Sequence, residues 1–121
     1  MKLKDKAEAI RLVIDREVDI LDIEGLLKKL SDLINISGLS AELVPQARMA
    51  YREAQERTIM EFMSNPIDLP VSTLNDLIKA KTRKEEGMLE YCEKLDKRVS
   101  YSQESMRTII SLRKQEIQSG L

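Results

Sequence analysis

The chain has 121 residues, 42% of them apolar and 34% charged, with 20 basic and 21 acidic side chains that leave a net charge of -1. That length is one domain with material for a modest core, and the cancelled charge excludes a whole-chain attraction to nucleic acid or an anionic membrane, so any anion site must be local. Aromatics make up only 3%, with four Gly and three Pro, which argues against sheets and predicts an all-α fold of helices packing on helices.

The first segment, from about Leu3 to Leu21, repeats Ala7, Ile10, Ile14, Val18 and Leu21 at steps of three and four, the pattern of an amphipathic helix. Asp22 caps a second, short helix carrying Leu26, Leu27, Leu30, Leu33 and Ile34, which ends in a turn at Asn35-Ile36-Ser37-Gly38. Ser40 opens a tight turn, and Pro45 stands at the first position of the next helix, where its missing N–H costs nothing. That helix runs to about Met63 and buries Ala47, Ala50, Ala54 and a cluster of Ile59, Phe62 and Met63. It stops at Asn65-Pro66, because proline disfavours helix in the residue before it. Pro66-Ile67-Asp68-Leu69-Pro70 reads as a short rigid connector, and Ser72 caps the helix after it.

From there the sequence is helical to about Ile117. Alternate steps of four and three from Leu74 pass through Ile78, Lys81, Glu85, Met88, Cys92, Leu95, Val99, Ser102, Met106, Ile109, Arg113 and Glu116, a coiled-coil-like seam with polar interruptions. Thr82 with Glu85 three residues on matches a capping box, which divides the stretch into a short helix and a long one from about Arg83 to Ile117. The long helix spans ~50 Å, far beyond the ~14 Å radius of gyration of a compact chain of this size. The rest of the chain is not expected to cover it. A second copy of the same helix would, through a two-fold contact, so a homodimer or higher homo-oligomer is expected. The alternative is a monomeric bundle in which the earlier helices fold back along it. The predicted organisation is a single helical domain over residues 1–121, with N-terminal helices in 1–43 and a long-helix core in 44–121.

A lone Cys92 forms no internal disulfide, and no N-terminal run has the order of a signal peptide, so the cytoplasm is the expected location. Charges interrupt every apolar run well short of the ~20 residues that span a bilayer, and no membrane contact is expected. With no histidine, the usual base near neutral pH is missing, as are His-containing metal sites and Ser-His or Cys-His nucleophile pairs. The scattered glycines form no phosphate loop. Glu85, Glu86, Glu90, Glu93 and Asp96 lie along one helix, and Glu93-x-x-Asp96 is similar to the magnesium-binding helices of all-α nucleotide pyrophosphohydrolases. Lys84, Lys94, Lys97 and Arg98 interleave with these acids, however, so they read as a solvated, ion-paired surface. Neither a catalytic residue, a metal site nor a cofactor is expected, and Cys92 reads as a small core residue.

Arginines are more suggestive. Arg48 and Arg52 stand one turn apart beside Tyr51, Arg107 interrupts an apolar stretch, and Arg113 falls on the seam itself. An arginine near an apolar seam requires a carboxylate, such as Glu104 or a partner chain's acid, or an anionic ligand matched to its planar fork. If two subunits met along the last helix, arginines from both could converge on a nucleotide-sized pocket, with Tyr51 stacking on a base.

The strings Val44-Pro45-Gln46-Ala47-Arg48-Met49-Ala50-Tyr51-Arg52-Glu53-Ala54, Pro66-Ile67-Asp68-Leu69-Pro70, Leu77-Ile78-Lys79-Ala80-Lys81 and Met106-Arg107-Thr108-Ile109-Ile110-Ser111 resemble small helical phage proteins, in particular the Thoeris anti-defence signal sponges, over residues 44–118. The resemblance implies a non-catalytic homo-oligomer in the host-cell cytoplasm that sequesters a cyclic nucleotide immune signal, an isomer of cyclic ADP-ribose. It further implies Arg107 and Arg113 as phosphate binders, joined by Arg48 or Arg52, with Asn75 or Tyr91 as base contacts. Phe62 reads as core, so stacking would fall to Tyr51, Tyr91 or Tyr101. The alternative function is a helical scaffold or adaptor of a phage or mobile element that binds protein or DNA, though nucleic acid is not the expected partner of the main reading.

Overall fold

A computed structural model describes residues 2–65 and 68–120. The described residues are all-helical: α1 spans Leu3–Asp15, α2 Ile23–Ser64, α3 Val71–Lys81 and α4 Arg83–Gln118. Pro66 and Ile67 of the expected connector lie outside the described residues.

The largest departure from expectation is α2. The predicted turns at Asn35–Gly38 and at Ser40 do not form, and Pro45 lies inside a 42-residue helix rather than at the start of one. The cause is a buried row at seven-residue spacing, Leu26, Leu33, Ser40, Ala47 and Ala54, that local breakers do not overcome. Gly and Pro in a helix interior cost about 1 and 3 kcal/mol, whereas burying Leu33 and Leu43 alone contributes about 1.5–3 kcal/mol each. Ala41 and Pro45 are both exposed, so the carbonyl that proline leaves without a donor faces water. Asp22 caps the helix as expected, its carboxylate accepting from the Gly25 N–H at 3.1 Å.

The first helix stops at Asp15, short of the predicted Leu21, leaving Val18 and Leu21 in the loop. Lys29 reaches across from α2 and donates to the carbonyls of Ile14 and Arg16, and Asp19 accepts from the Leu21 N–H. These bonds satisfy helix-end groups while the chain reverses. Ser72 is not a cap: Pro70 holds the N-cap position of α3, and Ser72 lies within the helix. The break at Thr82 is where the sequence places it. Its hydroxyl donates back to the Ile78 carbonyl at 2.8 Å instead of forming a capping box.

The Ser40 hydroxyl bonds to Asp96 and the Gln103 amide to the Leu33 carbonyl, so α2 and α4 run antiparallel. Contacts from Lys6 to Gln46 and from Arg16 to Asp32 lay α1 antiparallel to α2 over its middle. The core forms where these three helices meet, around Ile10, Leu33, Leu43, Cys92 and Leu95. The seam of α4 largely matches expectation, with Cys92, Leu95 and Val99 buried, although Ile110 rather than Ile109 completes it and Lys81 and Glu116 are exposed. The seam is covered by α2 of the same chain. A continuous α2 is longer than α4, so the length of α4 does not by itself demand a second copy. Of the cluster expected at the end of α2, Phe62 is half-buried beneath Lys81, whereas Ile59 and Met63 are exposed.

Candidate functional site

Every side chain singled out for binding lies on a helix face. Arg48, Tyr51 and Arg52 occupy consecutive turns in the upper half of α2; the two arginines are exposed and Tyr51 is half-buried. Asn75 is exposed on the short α3, and Tyr91 and Arg107 are exposed on α4. Arg113 is half-buried near the end of α4 and bonds to Glu116 one turn on.

The register of the helices separates these residues into two groups. Ser40 is level with Asp96, and carrying that register up α2 sets Arg48 level with Met88. Arg107 then lies about 28 Å further down the rod at 1.5 Å per residue. A single chain therefore brings Arg48, Tyr51 and Arg52 together on the upper half of the rod and leaves Arg107 and Arg113 on the lower half, on different sides of α4.

Electrostatics distinguishes the arginines. Arg11, Arg16, Arg98 and Arg113 are ion-paired, while Arg48, Arg52 and Arg107, like Arg57 and Arg83, have no carboxylate within salt-bridge distance among the described residues. Arg113 keeps one buried donor, Nε, without a partner among the described residues. Elsewhere the charges are structural. The hydrogen bond from Arg98, reinforced by Arg11, holds the Asp15 carboxyl below its ordinary range and ties the end of α1 to α4. Arg11 likewise lowers Glu8. Burial lowers the Lys29 ammonium and raises the Cys92 thiol, whose side chain is fully buried. The acids from Glu85 to Asp96 form no grouping able to hold a metal ion among the described residues, and Asp96 is engaged by Ser40.

Among the concavities not foreseen from sequence, two lie beside α1. A polar cleft of about 460 Å³ lies in the α1–α2 loop, between Arg16, Asp19, Asp22, Lys28 and Asp32. A smaller apolar one of about 160 Å³ lies where the start of α1 meets Ala47, Ala50 and Met88, beside a Glu85 carboxylate oxygen that is buried without a partner. Each depends on how α1 folds back, which leaves no mark in local sequence. No helix among the described residues is long and apolar enough to cross a membrane. No family model, curated protein or solved structure matches the chain.

Proposed function

We propose that the protein is a non-catalytic helical assembly module, a scaffold or adaptor whose working form is a homo-oligomer. The observation that carries this reading is its uncovered apolar surface. Among the described residues fifteen large hydrophobic side chains are exposed, against twelve apolar residues buried in the core. Scattered apolar residues on a surface are ordinary, but rows of them along helix faces mark contact surfaces. Side-chain chemistry supports binding over catalysis, since the chain has no histidine and its one thiol is buried with a raised pKa. Size-exclusion chromatography with light scattering on protein at tens of micromolar should return a mass of at least two 13.9 kDa chains; a single-chain mass at every concentration would overturn the reading.

Arg113 favours a second reading, the one implied by the resemblance to signal sponges. A half-buried guanidinium whose Nε has no partner among the described residues, and arginines at 48, 52 and 107 with no ion pair among them, suit phosphate oxygens. In this reading the oligomer sequesters a cyclic ADP-ribose isomer in the host cytoplasm. Native mass spectrometry of protein from cells making that signal should show an added nucleotide mass, lost in Arg113→Glu. A clean apo mass with no thermal shift on adding ligand removes sequestration and leaves assembly standing.

A further inference from the structure

The second helix is apolar on two opposite sides. Its inward row, from Leu26 to Ala54, is buried against α1 and α4. A second row starts at Leu27, passes Pro45 at its midpoint and ends at Met63, advancing in steps of four and three that average the 3.6 residues of one helical turn. It therefore runs straight along the outer face, and every residue on it is exposed. Leu27, Ile34, Met49, Ile59 and Met63 are its large apolar members, between 44% and 74% exposed. A helix apolar on both sides is expected to be covered on both.

We infer that a second copy of this chain covers that outer face, running antiparallel with its two-fold axis at Pro45; the inference rests on the assembly reading. Three observations choose this occupant. The order of steps is the same read from either end of the row, so a reversed copy meets it position for position. Leu27 then faces the partner's Met63, Ala41 faces the partner's Met49, and Gly38 leaves room opposite the partner's Arg52. Ser31 faces the partner's Ile59 and Ile34 the partner's Glu56, so apolar side chains meet at the two ends of the row, and in the middle small residues receive large ones. A parallel copy would instead stack Arg52 on the partner's Arg52 and Glu56 on the partner's Glu56, setting like charges against each other.

Area gives the third reason. Forty-two residues make a face about 60 Å long and 10–12 Å wide, so two copies cover about 1,200–1,400 Å² in total, within the range of stable protein interfaces. The outer face of α4, with Tyr101 and Leu112 exposed, offers a shorter row. Docking through α2 also leaves the seam between α2 and α4 undisturbed.

Cross-linking tests the inference. Leu27→Cys and Met63→Cys are prepared separately, in a chain whose own Cys92 is fully buried, and treated with a short bismaleimide alone and after mixing. Like positions lie about 54 Å apart in the antiparallel pair, so neither variant alone should form a covalent dimer and the mixture should. Self-linking of Leu27→Cys would mean a parallel pair and overturn the inference. An oligomer by light scattering that gives no link in the mixture would place the interface on another face, overturning the inference while leaving the assembly reading intact. A monomeric unmodified chain would end both.

Discussion

Ser40 shows how much one side chain decides. It occupies an inward position of α2 that a leucine would ordinarily take, is fully buried, and donates to Asp96 at 2.6 Å. A polar residue at such a position fixes the register of paired helices at some cost in stability, because sliding would strand its hydroxyl. In sequence Ser40 reads as a turn residue, since a serine two residues after the Ser37-Gly38 pair has that meaning unless a partner is known. Cys92 was legible from its seam spacing alone. Asp15 carries a prediction. Its carboxyl is held below the ordinary aspartate range in the fold, chiefly by Arg98, so its contribution is present above the unfolded value of about 3.9 and lost as pH falls through the lower folded value. In urea titrations between pH 7 and pH 2.5, Asp15→Asn should be less stable than the parent at neutral pH, and the gap should close in acid. Both ion pairs are exposed, so added salt should narrow the gap at neutral pH as well.

Among elements, α2 and α3–α4 teach opposite lessons. The break at Thr82 was legible because a local signal coincides with it, although the hydrogen bond formed is a different one. The continuity of α2 was not, because Gly38 and Pro45 are local breakers whose effect is outweighed by packing against α4. Glycine substitutions separate these cases. A Cβ on Gly25 would lie 2.6 Å from the Asp22 carboxylate that caps the helix, while one on Gly38 or Gly87 meets nothing within 4 Å. Gly38→Ala and Gly87→Ala should each stabilise by about 0.5–1 kcal/mol, as expected for helix interiors. Gly25→Ala should destabilise by about 1 kcal/mol through loss of the cap. Thermal or urea unfolding at chain concentrations low enough for a monomer measures all three, because Gly38 also faces the proposed partner; there, a Gly38→Ala chain that unfolds more easily would mean that α2 is not continuous at that position.

At the scale of the molecule, α1 is the third helix for only the middle of a long two-helix hairpin. Its 13 residues cover about 20 Å, and both ends of the rod are left with two helices and exposed apolar side chains such as Met60 and Ile117. If copies associate in the native state only, association stabilises the fold by mass action. The melting midpoint should therefore rise by several degrees across a hundredfold increase in chain concentration, as followed by circular dichroism. An unchanged midpoint would mean that the folded chain does not associate.

Sequence by itself determined the helical class, the period of the α4 seam, the break at Thr82 and the absence of histidine. Each of these is a local or compositional property: a period, a spacing or a missing residue type. Only the tertiary structure decided that α2 is one helix, that it covers the α4 seam within the chain, and that Arg48 and Arg107 stand on different halves of the rod. Those outcomes depend on which faces meet, and the free energy of burying Leu33, Leu43 and Leu95 together exceeds the local preference of any one glycine or proline.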